Sequence, residues 1–158
     1  MSRKGRMTMT AFGIHKALRA TYDEALARLP EALKSEGFGL LTEIDIQSTL
    51  KQKLGVDFRR YKILGACNPT FAYAALRADL EIGLLLPCNV VVYEDDDGHA
   101  VVVAIDPTKS MAGIANAELA EAVKEKLSRS GNRSGSAARM LRSAGYSEVH
   151  DLGSMSRW

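Results

Sequence analysis

The sequence has few of the residues that mark specialised protein classes. Its 158 residues include only two cysteines, one tryptophan and four prolines, and the formal net charge is +2. Two cysteines cannot build a disulfide framework. No apolar secretion signal follows the basic N-terminus, so we expect free thiols in a reducing cytoplasm. A net charge this small gives no argument for nucleic acid as a partner.

Long hydrophobic runs are also missing. The longest, at 82–92, is interrupted by Pro87, whereas a membrane-spanning helix needs roughly 20 apolar residues. Hydrophobic residues make up 46% of the chain and charged residues 25%, which is ordinary for a soluble domain. A chain of this length can bury one core and carry an extension. The sequence therefore predicts a soluble domain with no membrane partner.

Capping signals predict two helices in the first third of the chain. Thr21 opens a capping box, T-Y-D-E, and the apolar residues after it recur at helical spacing as far as Gly37. Pro30 falls inside this pattern and predicts a kink. The second helix is predicted over 45–54, where apolar residues recur every four positions, and Gly55 ends it.

The remaining pattern alternates strands with short helices. A helix is predicted over 69–80 with Asn68 as its cap, and a further helix begins at Asn116. The D-D-D-G segment at 95–98 is typical of a hairpin turn. Apolar and β-branched runs predict strands at 8–18, 38–44, 61–67, 89–94 and 99–105.

Four motifs in this order resemble the domain-of-unknown-function 302 family. They are G-F-G-L-L-T-E-I-D-I at 37–46, A-C-N-P at 66–69, L-L-P-C-N-V-V-V-Y-E at 85–94 and I-D-P at 105–107. The resemblance covers about residues 8–128. It implies an α+β domain with a curved antiparallel sheet and helices on one side, similar to the TATA-binding-protein-like fold, and pairing as a homodimer. It implies no defined activity, and the cofactor is unknown.

The C-terminal 31 residues resemble a different family. The R-S-G-N-R-S loop at 129–134, a helix, G-Y and a closing G-S-M-S-R-W are similar to the last third of a rhodanese, a sulfurtransferase. Ser128 stands where that family has its nucleophilic cysteine, so we expect no rhodanese activity. Together with the first resemblance, this predicts a domain at 8–127 and a truncated tail at 128–158. The basic segment at 1–7 is predicted to be a flexible N-terminus. A weak anion site is predicted at Arg129, Gly131, Asn132 and Arg133.

The two cysteines are the main candidates for chemistry. Cys67 and Cys88 each adjoin a proline-containing turn at a predicted strand end. If folding brings them together, they would line a ligand site with the Asn68 amide, and Cys67 would be the reactive thiol. The alternative is that both are small core residues, because free cysteine is among the most buried residue types.

A pair of carboxylates forms a second candidate. Glu43 and Asp45 are two apart at a predicted strand end, so they share a face of the sheet. With Lys53 or Arg59 they could form a polar ligand site. The alternative is that Asp45 caps the following helix and Glu43 pairs with a lysine.

Metal binding is not predicted from this sequence. The histidines His15, His99 and His150 lie in separate regions, without histidine or carboxylate partners at ligand spacing. The aspartates at 95–97 are typical of a turn and lack the alternating ligands of a calcium loop.

Three hypotheses follow for the function. The first is a homodimeric domain that binds a small ligand or partner near the two cysteines. The second is a thiol-dependent sulfur carrier or redox enzyme that uses Cys67, with a sulfur-relay protein as its partner. The third is a purely structural, partner-binding dimer whose cysteines belong to the core.

Overall fold

A computed structural model describes residues 7–105 of the chain. Its strands and helices alternate much as the sequence pattern predicts. In chain order they are β1 (Met7–Met9), β2 (Gly13–Ala17), α1 (Tyr22–Ser35), β3 (Gly39–Asp45), α2 (Ile46–Leu54), β4 (Tyr61–Cys67), α3 (Pro69–Ala78), a 3-10 helix (Leu80–Leu85), β5 (Cys88–Glu94) and β6 (Ala100–Ile105).

The six strands form one antiparallel sheet in the order β1-β2-β6-β5-β4-β3. Neighbouring strands β4, β5 and β6 pair in register through their β-branched residues, for example Val91 opposite Val103. The edge strands are β1 and β3. This architecture confirms the predicted α+β class with an antiparallel sheet.

The prediction of one strand over 8–18 was wrong, because this segment is a hairpin. The chain turns after β1, where the amide and the hydroxyl of Thr10 donate to the carbonyl of Gly13 at 2.7 and 3.0 Å. The loop lacks an Asn-Gly or Asp-Gly signal, so its sequence gave no sign of a turn. β2 then pairs with β6, and Gly13 lies opposite Ile105.

The predicted start and end of α1 are confirmed. Glu24 accepts a hydrogen bond from the Thr21 amide at 2.8 Å, while the Thr21 hydroxyl accepts from the Glu24 amide at 3.3 Å. At the other end the Phe38 amide donates to the Leu33 carbonyl at 2.9 Å. Gly37 has a φ of 82°, the left-handed conformation that closes a helix.

The caps of α2 and α3 are also where the sequence places them. Asp45 accepts from the amide of Ser48 at 2.8 Å, and Gly55 closes α2 with a φ of 68°. Asn68 accepts from the amide of Phe71 at 3.1 Å. Each cap satisfies an amide that the first helical turn leaves unpaired.

The main core lies between α1 and one face of the sheet. Deeply buried large side chains of this core include Leu29 and Leu33 of α1, Leu64 of β4 and Val92 of β5. Lys16 of β2 is a charged residue buried at 3% exposure. A smaller cluster centred on Ala75 and Ile82 joins α3 to the 3-10 helix.

Candidate functional site

The two cysteines lie on neighbouring strands at the same end of the sheet. The register pairs Ala66 of β4 with Cys88 of β5, so Cys67 is one position further along β4. Because side chains alternate along a strand, Cys88 shares the face of Ala66 and Cys67 belongs to the opposite face. Both are free thiols and half-buried.

Their surroundings make the two thiols unequal. Burial raises the pKa of the Cys88 thiol, and the nearby Cys67 adds to the rise. Since the thiolate is the nucleophile, Cys88 is the poorer candidate for reactivity. Cys67 immediately precedes Asn68, the cap of α3.

Asn68 has a structural task at this point. Its side-chain oxygen accepts from the amide of Phe71. Its amide nitrogen faces the end of α1, where a Cβ at Gly37 would lie 3.3 Å from it. The residue therefore joins the start of α3 to the end of α1.

The two carboxylates have the structural roles that the sequence analysis gave as the alternative to a ligand site. Glu43 lies opposite Leu64 and Asp45 opposite Lys62, which places both carboxylates on one face of the sheet. Glu43 forms an ion pair with Lys62. Asp45 accepts from the amide of Ser48 and so caps α2.

The predicted basic companions lie elsewhere. Arg59 donates to Asp96 at 3.0 Å and to the carbonyl of Glu94 at 3.2 Å. Among the described residues, Lys53 forms no ion pair with either Glu43 or Asp45. The carboxylates and the predicted cations therefore do not form one polar site.

A cluster of charges that the sequence did not reveal surrounds Tyr22. The guanidinium of Arg60 lies 4.4 Å from the centre of the Tyr22 ring and 2.5 Å from a carboxylate oxygen of Asp23. Burial raises the pKa of Tyr22 to about 12, and Asp45 adds to the rise, while Arg60 opposes it. Arg60 and Asp23 are 37 residues apart, so no local pattern could have paired them.

At the turn between β5 and β6, the expectation that the histidines lack carboxylate partners is wrong. His99 has carboxylate companions after all, because one ligand atom each from Asp95, Asp97 and His99 lie within 4.8 Å of one another. The Nδ1 atom of His99 is buried without a hydrogen-bond partner. Asp95 itself is held by the turn, where it accepts from the amides of Asp97 and His99 at 3.0 and 2.9 Å.

An unusually exposed surface lies on the segment from β3 to β4. All seven residues of β3 are exposed, and α2 has no buried residue. Leu41 is 65% exposed and Leu54 is 68% exposed. We call this the β3–α2 surface, and its large apolar residues are Leu40, Leu41, Ile44, Leu54, Val56 and Phe58.

Comparison with known proteins assigns the family. A family model described as domain of unknown function DUF302 matches residues 14–133, which is most of the chain. The chain belongs to the DUF302 family. The match begins and ends within several residues of the limits that the motifs predicted, and its last residues include part of the predicted anion loop.

A solved structure agrees with this assignment. The crystal structure of an uncharacterized conserved DUF302 protein from Bacillus stearothermophilus is similar, with a TM-score of 0.68 and 28% sequence identity. The similarity covers 87% of this chain and 98% of that one. No curated protein matches. Membership of the DUF302 family thus supports the fold and leaves the activity open.

Several predicted features lie outside the described residues. They include the helix that begins at Asn116, Ser128, His150 and the anion loop with Arg129, Gly131, Asn132 and Arg133. Within residues 7–105, none of the helices is long and apolar enough to cross a membrane.

Proposed function

We propose that this DUF302 chain is a homodimeric binding domain and that the β3–α2 surface joins its two copies. The observation that supports this most directly is the exposure of β3, an edge strand of seven residues that nothing in the described part of the chain covers. An uncovered edge strand with apolar side chains is prone to pair with another chain. The strand also exposes large apolar side chains, Leu40, Leu41 and Ile44, and exposed apolar surface often marks interaction sites.

A second copy of the chain is the partner that this surface fits best. An edge strand can pair with its own copy about a two-fold axis, and two-fold dimers are the most common homo-oligomers. Full burial of a leucine side chain contributes about 1.5–3 kcal/mol. Several such residues lie on the surface, so pairing would offset the cost of association.

The proposed interface also borders the thiols. Gly39, the first residue of β3, lies opposite Cys67. A small ligand or a partner bound near Cys67 would therefore contact the margin of the interface. One molecule could therefore both form the dimer and bind a ligand near the cysteines, as the first hypothesis requires.

Replacing Leu41 with aspartate tests the dimer. The side chain is 65% exposed, so the change should leave the subunit folded while placing two charges in the interface. We expect the wild-type protein to have about twice the chain mass of 17.2 kDa, and the Leu41→Asp variant to have the mass of one chain. Sedimentation equilibrium measures both, with circular dichroism as the check on folding.

Phe12→Asp is the matched control for this variant. Phe12 is 85% exposed on the β1–β2 turn, at the opposite edge of the sheet, so its replacement should leave the dimer intact. A wild-type protein that stays monomeric at every concentration measured would overturn the proposal. Equal dissociation of both variants would show that the β3–α2 surface is not the interface.

A thiol-dependent role for Cys67 is the second candidate. It is favoured by the inequality of the two cysteines, since burial and a raised pKa disfavour Cys88. The tail resembling a rhodanese suggests a link to sulfur metabolism, and Ser128 leaves Cys67 as the thiol that would act. In the structural alternative, both thiols serve packing alone.

Timed alkylation separates these roles. At neutral pH iodoacetamide should modify Cys67 several-fold faster than Cys88, because a raised pKa leaves less of the Cys88 thiolate. Peptide mass spectrometry of quenched samples gives both rates, and unfolded protein is the control in which they converge. Labelling of both cysteines only after denaturation would assign them to packing.

A further inference from the structure

A second apolar surface projects from the other end of β3. It is formed by α3 and the 3-10 helix, which pack on each other through Ala75 and Ile82. Tyr73 is 67% exposed, Leu80 is 85% exposed and Leu84 is 86% exposed. We call these three residues the α3 arm surface. Three large apolar side chains this exposed on one short segment indicate a contact with another chain.

The two surfaces flank opposite ends of the same edge strand. Gly39 pairs with Cys67, and α3 follows Cys67 after one residue, so the α3 arm surface lies toward the start of β3. Asp45 is the last residue of β3 and the cap of α2. The end of β3 therefore leads directly into α2.

We propose, on the basis of the homodimer proposed above, that β3 lies antiparallel to β3 of a second copy, so that α2 of each subunit packs on the α3 arm surface of the other. A two-fold axis near Thr42, the middle residue of β3, exchanges the two ends of the strand. It thereby brings the α2 end of one copy to the α3 end of the other. Each surface is covered once by the other subunit, and symmetry makes this contact occur twice.

The two surfaces carry one pair of opposite charges that the contact would bring together, beside Arg77 of the arm, whose guanidinium lies 5.9 Å from the centre of the Tyr73 ring. The last turn of α2 carries Lys51 and Lys53. Lys51 is bound to Asp57 at 2.7 Å, whereas the described residues include no ion-pair partner for Lys53. The first turn of the 3-10 helix carries Glu81, which likewise has no ion-pair partner within residues 7–105. In the proposed dimer, Lys53 faces the partner's Glu81, and symmetry makes this pair occur twice.

Charge reversal tests this arrangement directly. Lys53→Glu and Glu81→Lys should each raise the dimer dissociation constant about tenfold at low salt, because each change creates two like-charge contacts. The double variant restores opposite charges and should return the constant to within about twofold of wild type. Arg19→Glu, at an exposed arginine between β2 and α1, is the control, because it makes the same change in net charge as Lys53→Glu near the opposite edge of the sheet.

A variant of the arm adds an independent measurement. Leu84→Asp changes a side chain that is 86% exposed, and it should dissociate the dimer as Leu41→Asp does. If the wild-type protein is a monomer, the homodimer proposal and this arrangement both fail. If Leu41→Asp dissociates a wild-type dimer but the Leu84, Lys53 and Glu81 variants pair normally, the homodimer stands and this arrangement is overturned. Failure of the double variant to recover also overturns it.

Discussion

Replacing Gly13 with alanine should lower the free energy of unfolding by about 3 kcal/mol, the upper part of the range for overpacked sites. A Cβ at this position would lie 2.1 Å from the carbonyl oxygen of Ala104 and 3.0 Å from its carbonyl carbon. Both atoms belong to the backbone of β6, so no side-chain rotation can make room. The added carbon must push β2 away from β6. Urea denaturation at one fixed protein concentration measures the loss.

Gly98→Ala is the control that separates crowding from backbone strain. Gly98 has a φ of +77°, yet a Cβ there would meet no atom within 4 Å. The strain of a left-handed alanine should cost about 1 kcal/mol. If the two variants lose the same stability, or if Gly13→Ala is neutral, then β2 and β6 do not approach as closely as the structure shows.

The helix caps were well predicted from the sequence, although the helix predicted over 69–80 ends at Ala78 and a 3-10 helix follows it. Each cap is determined within about four residues of chain, as those at Thr21, Asp45 and Asn68 illustrate. The glycines that end α1 and α2 act equally locally, because a positive φ is a property of one residue. A single sequence carries this information directly.

Features that depend on distant residues were not predictable in the same way. The hairpin within 8–18 depends on β2 pairing with β6, almost 90 positions along the chain. The pairing of Arg60 with Asp23 likewise arises only when α1 packs beside the start of β4. Local propensity cannot distinguish such pairs from the many other combinations of the same charges.

The candidate thiol site also has a part set by local sequence and a part set by distant strand pairing. The motifs correctly place Cys67 and Cys88 at strand ends, and the sheet brings those ends together. Which face each thiol belongs to depends on the register between β4 and β5, where Ala66 rather than Cys67 lies opposite Cys88. A shift of one residue reverses the face of a side chain, and sequence patterns rarely determine register that closely.

For helix α2 the sequence predicted the helix but not what its apolar face contacts. Its apolar residues recur every four positions, which correctly predicted a helix. The same spacing normally indicates a face buried in the core, but no residue of α2 is buried in the described structure. Periodicity shows that a helix has an apolar face and does not show what covers it. In the proposed dimer the α3 arm surface of the second copy covers this face.

Replacing Leu29 with alanine should cost about 2–5 kcal/mol of folding stability, which is the range for truncating a buried leucine. Leu29 is only 2% exposed and lies in the main core formed by α1 and the sheet. The truncation leaves a cavity that the surrounding close-packed side chains can fill only in part. Urea denaturation monitored by circular dichroism measures the effect.

Leu26→Ala provides the same chemical change in the same helix at a half-buried position. Helix propensity changes equally in both variants, so the difference between them reports burial alone. We expect the loss for Leu26→Ala to be less than half of that for Leu29→Ala. Since dimerisation would stabilise both proteins by mass action, the comparison requires equal protein concentrations. A larger loss at Leu26 than at Leu29 would mean that α1 presents a different face to the sheet.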